Sequence, residues 1–392
     1  MGSGYAFEFY RGFAGLEALQ DRWVLLCKEL GDHVRFYHHP HWFASAMQMQ
    51  RAPDRDYWFV AAQHGERLVG VFPLQERRLR PYGAEIRLLS NFHDNQLQLA
   101  DFTFSPESDG TTLVSALVRW LRSQKVPRWD AVNIQRIVAD SALYRSLQVK
   151  SPSFTQRLTY NRSARFDVSQ GYEHAVATMS PRSRRNLRRV QRRAAEKAPV
   201  RLEAVLAPAL LPAALQRFCE IEASGWKGYA GTRSAILCSP TLVYFYQSLA
   251  KRFGPSGQFV IHLLWHGDAV VAAFLSLQSG KTFSTLKMCY QENAQAYKPG
   301  IMLLDLLIRE LCADPDVGLL DMVNYPGVVR DFKPNSLPIC SFVIPNYTVR
   351  GLASVIALKL LRQIARRSTR PLLPMDAQIG DGSEPETEET AD

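Results

Sequence analysis

An internal repeat is the feature of this sequence that most constrains its fold. Two β-rich runs with alternating polarity flank the turn His64-Gly65-Glu66, and the same arrangement returns around His266-Gly267-Asp268. A His-Gly-acid turn between two β-rich runs is typical of a β-hairpin. Two hairpins of matching sequence, one in each half of the chain, therefore predict a duplicated unit.

The elements around the two hairpins also repeat in order. In each half the pattern predicts two hairpin strands, a further strand, a helix and another strand. In the first half we expect further strands near 85–90 and 97–104 and a helix at 111–123. This order favours an α/β (α+β) fold of two tandem domains, each a mixed, mostly antiparallel twisted sheet flanked by helices.

The repeat also suggests domain boundaries. We expect a first domain at residues 5–165 and a second at 199–348, joined by a basic helix at 166–198. A basic amphipathic helix is expected at 349–371. The last segment, 372–392, is acidic and rich in Glu, Thr and Gly, which predicts disorder.

Composition narrows the class of protein. The chain has 392 residues, of which 46% are hydrophobic and 21% charged, as in soluble globular proteins. We find no apolar run long enough to span a membrane and no secretory signal. Six cysteines without CxxC spacing suit a reduced compartment, so we expect a cytoplasmic protein, at most peripheral to the inner membrane. His38, His39 and His41 lack companion ligands, so no metal is expected.

The charge is uneven and points to an anionic partner. The net charge is +10, although the acidic tail contains no Lys, Arg or His. Seven arginines lie within 180–197, and Arg185, Arg188, Arg189 and Arg192 share one face of a helix. This face predicts an anion-docking helix. Residues 351–370 carry a second basic stripe, which predicts either a helix docked on the domain or contact with a membrane surface.

The most informative local motif is a helix start in the second half. A strand ending at Tyr290 is followed by a loop and by Lys298-Pro299-Gly300, which opens a Leu-rich helix. The first turn of a helix offers backbone N–H groups and the positive end of its dipole to an anion. Glycine lets the anion approach closely, and proline has no N–H to lose.

Together these motifs resemble the GNAT (Gcn5-related N-acetyltransferase) superfamily, and most closely its double-domain subgroup related to the cellulose-biosynthesis protein CelD and to FemAB proteins. The resemblance covers roughly residues 15–345. It is carried by the following segments: Ser183 to Arg193, Glu222-Ala223-Ser224-Gly225-Trp226-Lys227-Gly228, Phe245-Tyr246, Tyr297-Lys298-Pro299-Gly300, and Asp321 followed by Phe332-Lys333.

The resemblance implies where a thioester would bind. The strands ending near Tyr290 and Met322 would part, and an acyl thioester would lie between them. The implied contacts are Met288, Tyr297, Lys298, Pro299, Gly300 and Ile301. The co-substrate would be acyl-CoA or an acyl-carrier protein, and no cofactor would be permanently bound. In the first half, the acidic approach at 105–109 is a poor phosphate cradle, so this half would shape the acceptor groove.

The expected reaction is direct attack of an acceptor amine or hydroxyl on the thioester, which needs a base, an oxyanion donor and an acid. Glu222 or Asp321 is the expected base, and Tyr325 or Tyr290 the expected acid. Lys333 would stabilise the oxyanion or hold the acceptor. The remaining acceptor contacts are expected to be Trp226, Lys227, His93, Asp94 and Asn324.

Two other functions remain open. One is a Fem-like peptidyltransferase that uses aminoacyl-tRNA, although the sequence lacks a long heptad-bearing helical arm. The other is a non-catalytic scaffold that docks nucleic acid or a membrane through its basic helices. Nucleic acid is the less expected partner. The acceptor could be a sugar, a peptide, a small molecule or a lipid precursor, in work on the cell envelope or on polysaccharide, and the acyl chain length stays open.

Overall fold

The structure, a computed structural model, describes residues 4–50, 52–80, 85–92, 96–97 and 99–367. The strands are β1 (Tyr5–Arg11), β2 (Tyr57–His64), β3 (Arg67–Leu79), β4 (Ile86–Ser90), β5 (Thr103–Phe104), β6 (Ala131–Val138), β7 (Gln156–Asp167), β8 (Val200–Val205), β9 (Phe259–His266), β10 (Ala269–Ser279), β11 (Thr282–Tyr290), β12 (Leu319–Asp321) and β13 (Asn335–Pro345). The helices are α1 (Gly12–Glu29), α2 (Pro40–Met49), α3 (Gly110–Ser123), α4 (Ala142–Val149), α5 (Tyr172–Ala175), α6 (Pro181–Ala195), α7 (Leu211–Ser224), α8 (Pro240–Phe253), α9 (Pro299–Ala313) and α10 (Val349–Arg367).

These strands form one continuous sheet in the order β1-β2-β3-β4-β6-β13-β7-β12-β11-β10-β9-β8, and β5 pairs with β3. The order is a mirror arrangement, since β1-β2-β3-β4-β6 at one end corresponds to β8-β9-β10-β11-β12 at the other. Each half contains one parallel pair, β4 with β6 and β11 with β12, and its other neighbours are antiparallel. The predicted fold class, a mixed and mostly antiparallel sheet flanked by helices, is confirmed.

The two halves exchange their last strands at the centre of the sheet. β7, which follows the first half in sequence, pairs antiparallel with β12 of the second half. β13, which follows the second half, pairs antiparallel with β6 of the first half, and β7 and β13 pair with each other. The domain boundaries predicted at 165 and 348 divide the chain in sequence order, whereas β7 and β13 each pair with a strand of the other half. They remain a prediction, and the sequence had given no signal for β7 or β13.

One predicted strand is much shorter than expected. The pattern at 97–104 favoured a strand, but only Thr103–Phe104 pairs, with Val71 and Gly70 of β3. Leu97 and Leu99 are nevertheless fully buried. Their apolar side chains fill the core, although their backbone is not part of the sheet. The periodicity of apolar residues predicts burial in both cases and does not distinguish them.

The helices of both halves meet on one face of the sheet. α1 and α2 from the first half pack with α7 and α8 from the second in a single hydrophobic core. The Trp42 and Phe245 rings lie edge to face at 5.3 Å, and the Ser45 and Ser248 hydroxyls are 2.9 Å apart. This shared core and the exchanged strands join the two halves into one body.

The described start of α10 is docked on the first half. Val355 and Leu358 are buried against Ile86 and Leu88 of β4, and the Arg350 guanidinium lies 3.1 Å from the Asp130 carboxylate. Lys359 is exposed, whereas Arg370, the tail 372–392, and His93 and Asp94 lie outside the described residues. Within the described chain, no helix is long and apolar enough to cross a membrane.

Candidate functional site

A gap opens in the sheet between β11 and β12. The two strands pair only where 282–284 face 319–321. Beyond that point β11 continues to Tyr290. The segment that follows β12 stays beside β7, where the Met322 amide donates to the Ala164 carbonyl at 2.9 Å. A bulge at Leu286 interrupts the register of β11 with β10 and adds to the local twist. The predicted parting of these strands is therefore observed.

The start of α9 lies at this gap. Lys298 precedes the helix with a left-handed φ of 46°, and its carbonyl accepts the amides of Ile301 and Met302. Pro299 has no N–H, and the Gly300 amide has no backbone acceptor within the described chain. A Cβ on Gly300 would lie 3.4 Å from Met288 Cε and 3.7 Å from Val328. The helix start thus rests directly on the end of β11 and offers one unpaired amide.

A tight loop after α7 forms the opposite wall. A Cβ at Gly228 would lie 1.8 Å from the Ala223 carbonyl, and one at Gly231 would lie 1.8 Å from the Trp226 carbonyl. Only glycine fits at either position. The loop is closed by the Ala235 amide, which donates to the Lys227 carbonyl at 2.8 Å. This packing explains the Gly-Trp-Lys-Gly motif and fixes the positions of Trp226 and Lys227.

Glu222 at the end of α7 is enclosed by two lysines. Its Oε1 accepts from Lys287 Nζ at 2.9 Å and lies 3.7 Å from Lys227 Nζ, and its Oε2 accepts from the Ile236 amide at 2.8 Å. The Glu222 side chain is fully buried. Both carboxylate oxygens are therefore held inside the protein, and substrate would meet the lysines first.

Lys227 connects this cluster to the gap. Its Nζ donates to the Met288 carbonyl of β11 at 3.0 Å, and its side chain is 27% exposed, against 9% for Lys287. Burial lowers the pKa of Lys227 below its ordinary value, and the Glu222 charge opposes that change. Lys227 is thus a reachable amine with a weakened hold on its proton.

Two aromatic side chains flank the same opening. Trp226 is 41% exposed, and its amide donates to Glu292 Oε1 at 2.7 Å. Tyr325, in the loop that follows β12, is 37% exposed. The Trp226 ring lies 5.5 Å from Lys227 Nζ, and Val328, three residues after Tyr325, neighbours Gly300 at the start of α9.

Asp321 at the end of β12 is buried in a network of its own. Its Oδ2 accepts from Arg165 Nε at 3.0 Å, and its Oδ1 accepts from the Ser163 hydroxyl and, at 2.8 Å, from the Val323 amide. Arg165 also pairs with Asp140. These three hydrogen bonds tie the Asp321 carboxylate to the exchanged strand β7 and to its own chain.

The remaining predicted residues differ in their placement. Tyr290 ends β11 and is half-buried in the core of the second half. Asn324 pairs through its carbonyl with the Ala164 amide at 2.9 Å. Tyr297 is half-buried, with its ring 5.0 Å from that of His266. Lys333 is exposed, with a left-handed φ of 49°, at the end of the turn that buries Phe332.

Met288 at the end of β11 joins two of the predicted segments. Its side chain would lie 3.4 Å from a Cβ on Gly300, and its carbonyl accepts from Lys227 Nζ at 3.0 Å. The segment of Tyr325 reaches the same helix start through Val328. Sequence reasoning missed Lys287 and Arg165, which hold Glu222 and Asp321. Lys287 was visible as a charge within a buried strand, a position that calls for a partner. Arg165 gave no such signal, because its partner Asp321 is 156 residues away in the chain.

The equivalent helix start in the first half is filled by its own chain. Asp109 caps α3 and accepts from the Thr111 amide at 3.0 Å. A Cβ on Gly110 would lie 2.4 Å from the Ser146 hydroxyl and 2.8 Å from the Phe104 ring. A capping carboxylate and a closed approach leave no room for an anion at this helix start.

Residues 181–328 match the model of a protein family described as an acetyltransferase (GNAT) domain. No curated protein matches the chain in sequence.

Solved structures share the fold at low identity. FemX superposes with a TM-score of 0.55 at 8% identity, over 83% of this chain and 96% of that one. The C-terminal domain assigned to a lysylphosphatidylglycerol synthetase from Agrobacterium fabrum gives a TM-score of 0.53 at 10% identity, over 88% and 97%. These similarities extend along the whole tandem arrangement and concern the fold alone.

Proposed function

Because residues 181–328 match the model of an acetyltransferase (GNAT) domain, we propose that this protein transfers an acyl group from acyl-CoA, or from an acyl-carrier protein, to an amine or hydroxyl acceptor. The acyl donor binds in the second half of the chain, and the first half contributes to the acceptor side. The acceptor attacks the thioester directly, without an acyl-enzyme intermediate.

The observation that carries this proposal is the position of the α9 start at the gap between β11 and β12. A thioester needs an extended slot for its pantetheine arm and a cationic or dipolar end for its pyrophosphate. The parted strands offer the slot. The Gly300 amide and the exposed Lys298 stand at its end, and Tyr297, Pro299 and Ile301 complete this turn.

The acceptor is held at the wall opposite α9. Trp226 offers an exposed ring, and Lys227 a partly exposed amine next to the carbonyl of Met288. Asn324, Tyr325 and Lys333 are the other contacts proposed on this side, and Tyr325 and Lys333 are exposed. His93 and Asp94 of the first half remain predicted acceptor contacts.

The proton of the acceptor leaves through Lys227. The acceptor nitrogen or oxygen bonds to the thioester carbonyl carbon and gives its proton to neutral Lys227, and the C–S bond then breaks. Glu222 stabilises the resulting ammonium from 3.7 Å, so in this proposal Lys227 takes the place of Glu222, the predicted base. The departing thiolate takes a proton from Tyr325 or Tyr290.

Asp321 acts on the position of this machinery. Its bonds to Arg165 and to the Val323 amide fix the strand end from which Asn324 and Tyr325 extend. A direct role of Asp321 as base remains the competing prediction.

Calorimetric titration with acetyl-CoA and a medium-chain acyl-CoA tests the donor site. Gly300→Asp places a negative charge where the pyrophosphate would bind, whereas Gly300→Ala adds a methyl group at ordinary contact distance from Met288. We expect saturable binding to the parent, near-parent binding to Gly300→Ala and none to Gly300→Asp. Equal binding to both variants would remove the donor from this helix start. Absence of binding to the parent would exclude acyl-CoA and leave an acyl-carrier protein or a charged tRNA as donor.

A further inference from the structure

Helix α6 presents an unusually dense basic face to solvent. Arg182, Arg185, Arg188, Arg189, Arg192 and Arg193 are all exposed. In the described part of the chain, the only carboxylate within ion-pair distance of any of them is Glu196, 3.7 Å from Arg192. We call these six arginines the arginine face. So many like charges without counter-charges repel one another, a cost that an anionic partner would relieve.

The opposite side of α6 anchors the helix rigidly. Leu187, Val190 and Ala194 are buried in the core of the second half. Gln191 donates to the buried Asp305 of α9 at 2.8 Å. Because its apolar residues are already covered, the helix has none left to insert into a membrane. The arginine face is therefore a fixed, purely charged surface.

The anchoring side of α6 lies next to the proposed donor site. The Ala194 carbonyl is 2.9 Å from His266 Nε2, and the His266 ring contacts Tyr297, the residue before Lys298. Gln191 reaches α9 itself through Asp305. A partner bound to the arginine face on the other side of α6 would lie one helix diameter, roughly 10 Å, from these contacts.

The extent of the face argues for a macromolecular partner. From Arg182 to Arg193 the arginine face is about 16 Å long, at 1.5 Å per residue. This is longer than the single 3′-phosphate of CoA would need. Carboxylates border α6 along its length: Glu173 pairs with Arg184, Asp331 accepts from the Ser183 hydroxyl, and Glu196 lies 3.7 Å from Arg192. A nucleic acid favours a broad basic surface. A narrow stripe bordered by carboxylates fits a single acidic helix instead.

We propose that the arginine face docks the acidic surface of an acyl-carrier protein, whose phosphopantetheine thioester then enters the gap beside α9. This inference rests on the proposed function and specifies its donor. Acyl-CoA would use the helix start alone, without the arginine face.

The test compares two triple variants of the full chain with equal changes in charge. Arg185→Glu/Arg189→Glu/Arg192→Glu reverses the face. Arg119→Glu/Lys125→Glu/Arg128→Glu reverses three exposed cations of the first half as a control. Three ligands are tested: acyl-carrier protein with an acetyl thioester on its phosphopantetheine, acetyl-CoA, and bulk tRNA. Their binding to the parent and to both variants is measured at two salt concentrations.

We expect the face variant to weaken carrier binding at least about tenfold, and more at low salt, while acetyl-CoA binding changes less than about threefold. The control should retain both. An equal loss of acetyl-CoA binding would assign the face to the 3′-phosphate, and selective loss of tRNA binding would assign it to a polynucleotide. Parent protein that binds acetyl-CoA but no carrier would overturn this inference and leave the proposed function standing. Parent protein that binds neither thioester would overturn both.

Discussion

The backbone amide of Val323 donates a hydrogen bond of 2.8 Å to the carboxylate of Asp321. Val323 has a φ of 52°, a left-handed conformation that β-branched residues rarely adopt and that costs about 1–3 kcal/mol. The carboxylate is itself held by Arg165 and Ser163 of the exchanged strand β7. The exchange of strands between the halves therefore stabilises the turn that leads from β12 to Asn324 and Tyr325.

Removal of the Asp321 carboxylate should destabilise the protein. In Asp321→Ala the buried Arg165 keeps only Asp140, and the Val323 amide loses its acceptor, so we expect a loss of about 3 kcal/mol in the free energy of unfolding. Asp321→Asn retains an acceptor and should lose about 1–2 kcal/mol. Urea denaturation measures both, with the exposed Asp268→Asn as a neutral control. A folded Asp321→Asn of parental stability whose kcat falls a hundredfold would instead show Asp321 to be the base.

Substitutions of Lys227 separate proton transfer from binding. Lys227→Arg keeps the charge but cannot release a proton at any working pH, so we expect kcat to fall about a hundredfold or more, as in Lys227→Met. In the parent, kcat/KM should rise with pH as Lys227 loses its proton, at a pKa below its ordinary value because of burial. Both variants should lose this rise. If Lys227→Arg keeps the parental kcat while Lys227→Met only raises KM, Lys227 binds substrate and takes no proton.

The loop after α7 should tolerate no side chain at Gly228. Its Cβ would fall 1.8 Å from the Ala223 carbonyl, so Gly228→Ala must displace backbone and should cost about 3 kcal/mol. Gly318→Ala is the matched control, because its nearest neighbour would be 3.8 Å away. Thermal unfolding measures both. Similar melting temperatures for the two variants would contradict the tight packing of this loop.

His39 of the first half lies at the contact with the second half, with its ring 5.3 Å from that of Phe253 in α8. This contact should weaken in acid. Burial lowers the pKa of His39 to about 3, and its Nδ1 accepts the His41 amide at 3.2 Å, so the folded state requires the neutral ring. The unfolded state takes up the proton near pH 6.5. The stabilisation is thus complete above that pH and is lost as the pH falls towards 3, by about 1 kcal/mol at pH 5.5.

His39→Asn isolates this effect, because asparagine retains the cap at the start of α2 and does not titrate. We expect the difference in unfolding free energy between pH 7.5 and pH 5.5 to be about 1 kcal/mol smaller in the variant than in the parent. An identical pH dependence in both proteins would exclude His39 as a source of acid sensitivity.

Much of the local structure could be predicted from sequence. The hairpin turns at Gly65 and Gly267 and the start of α9 at Pro299 were predicted at the observed positions, because turn chemistry and helix starts act over a few residues. The strand at 97–104 was overestimated. Burial of Leu97 and Leu99 depends on contacts that neighbouring residues do not encode.

The sequence by itself determined the duplication, the class of fold, the arginine face and the glycine-lined helix start, since each depends on periodicity, composition or backbone preference within a short segment. Only the tertiary structure decided that β7 and β13 exchange halves, that Glu222 is enclosed by Lys227 and Lys287, and that Asp321 is bound to Arg165. These partners are far apart in the chain. The free energy of their pairing depends on burial and distance in the folded protein, and a local pattern of residues predicts neither quantity.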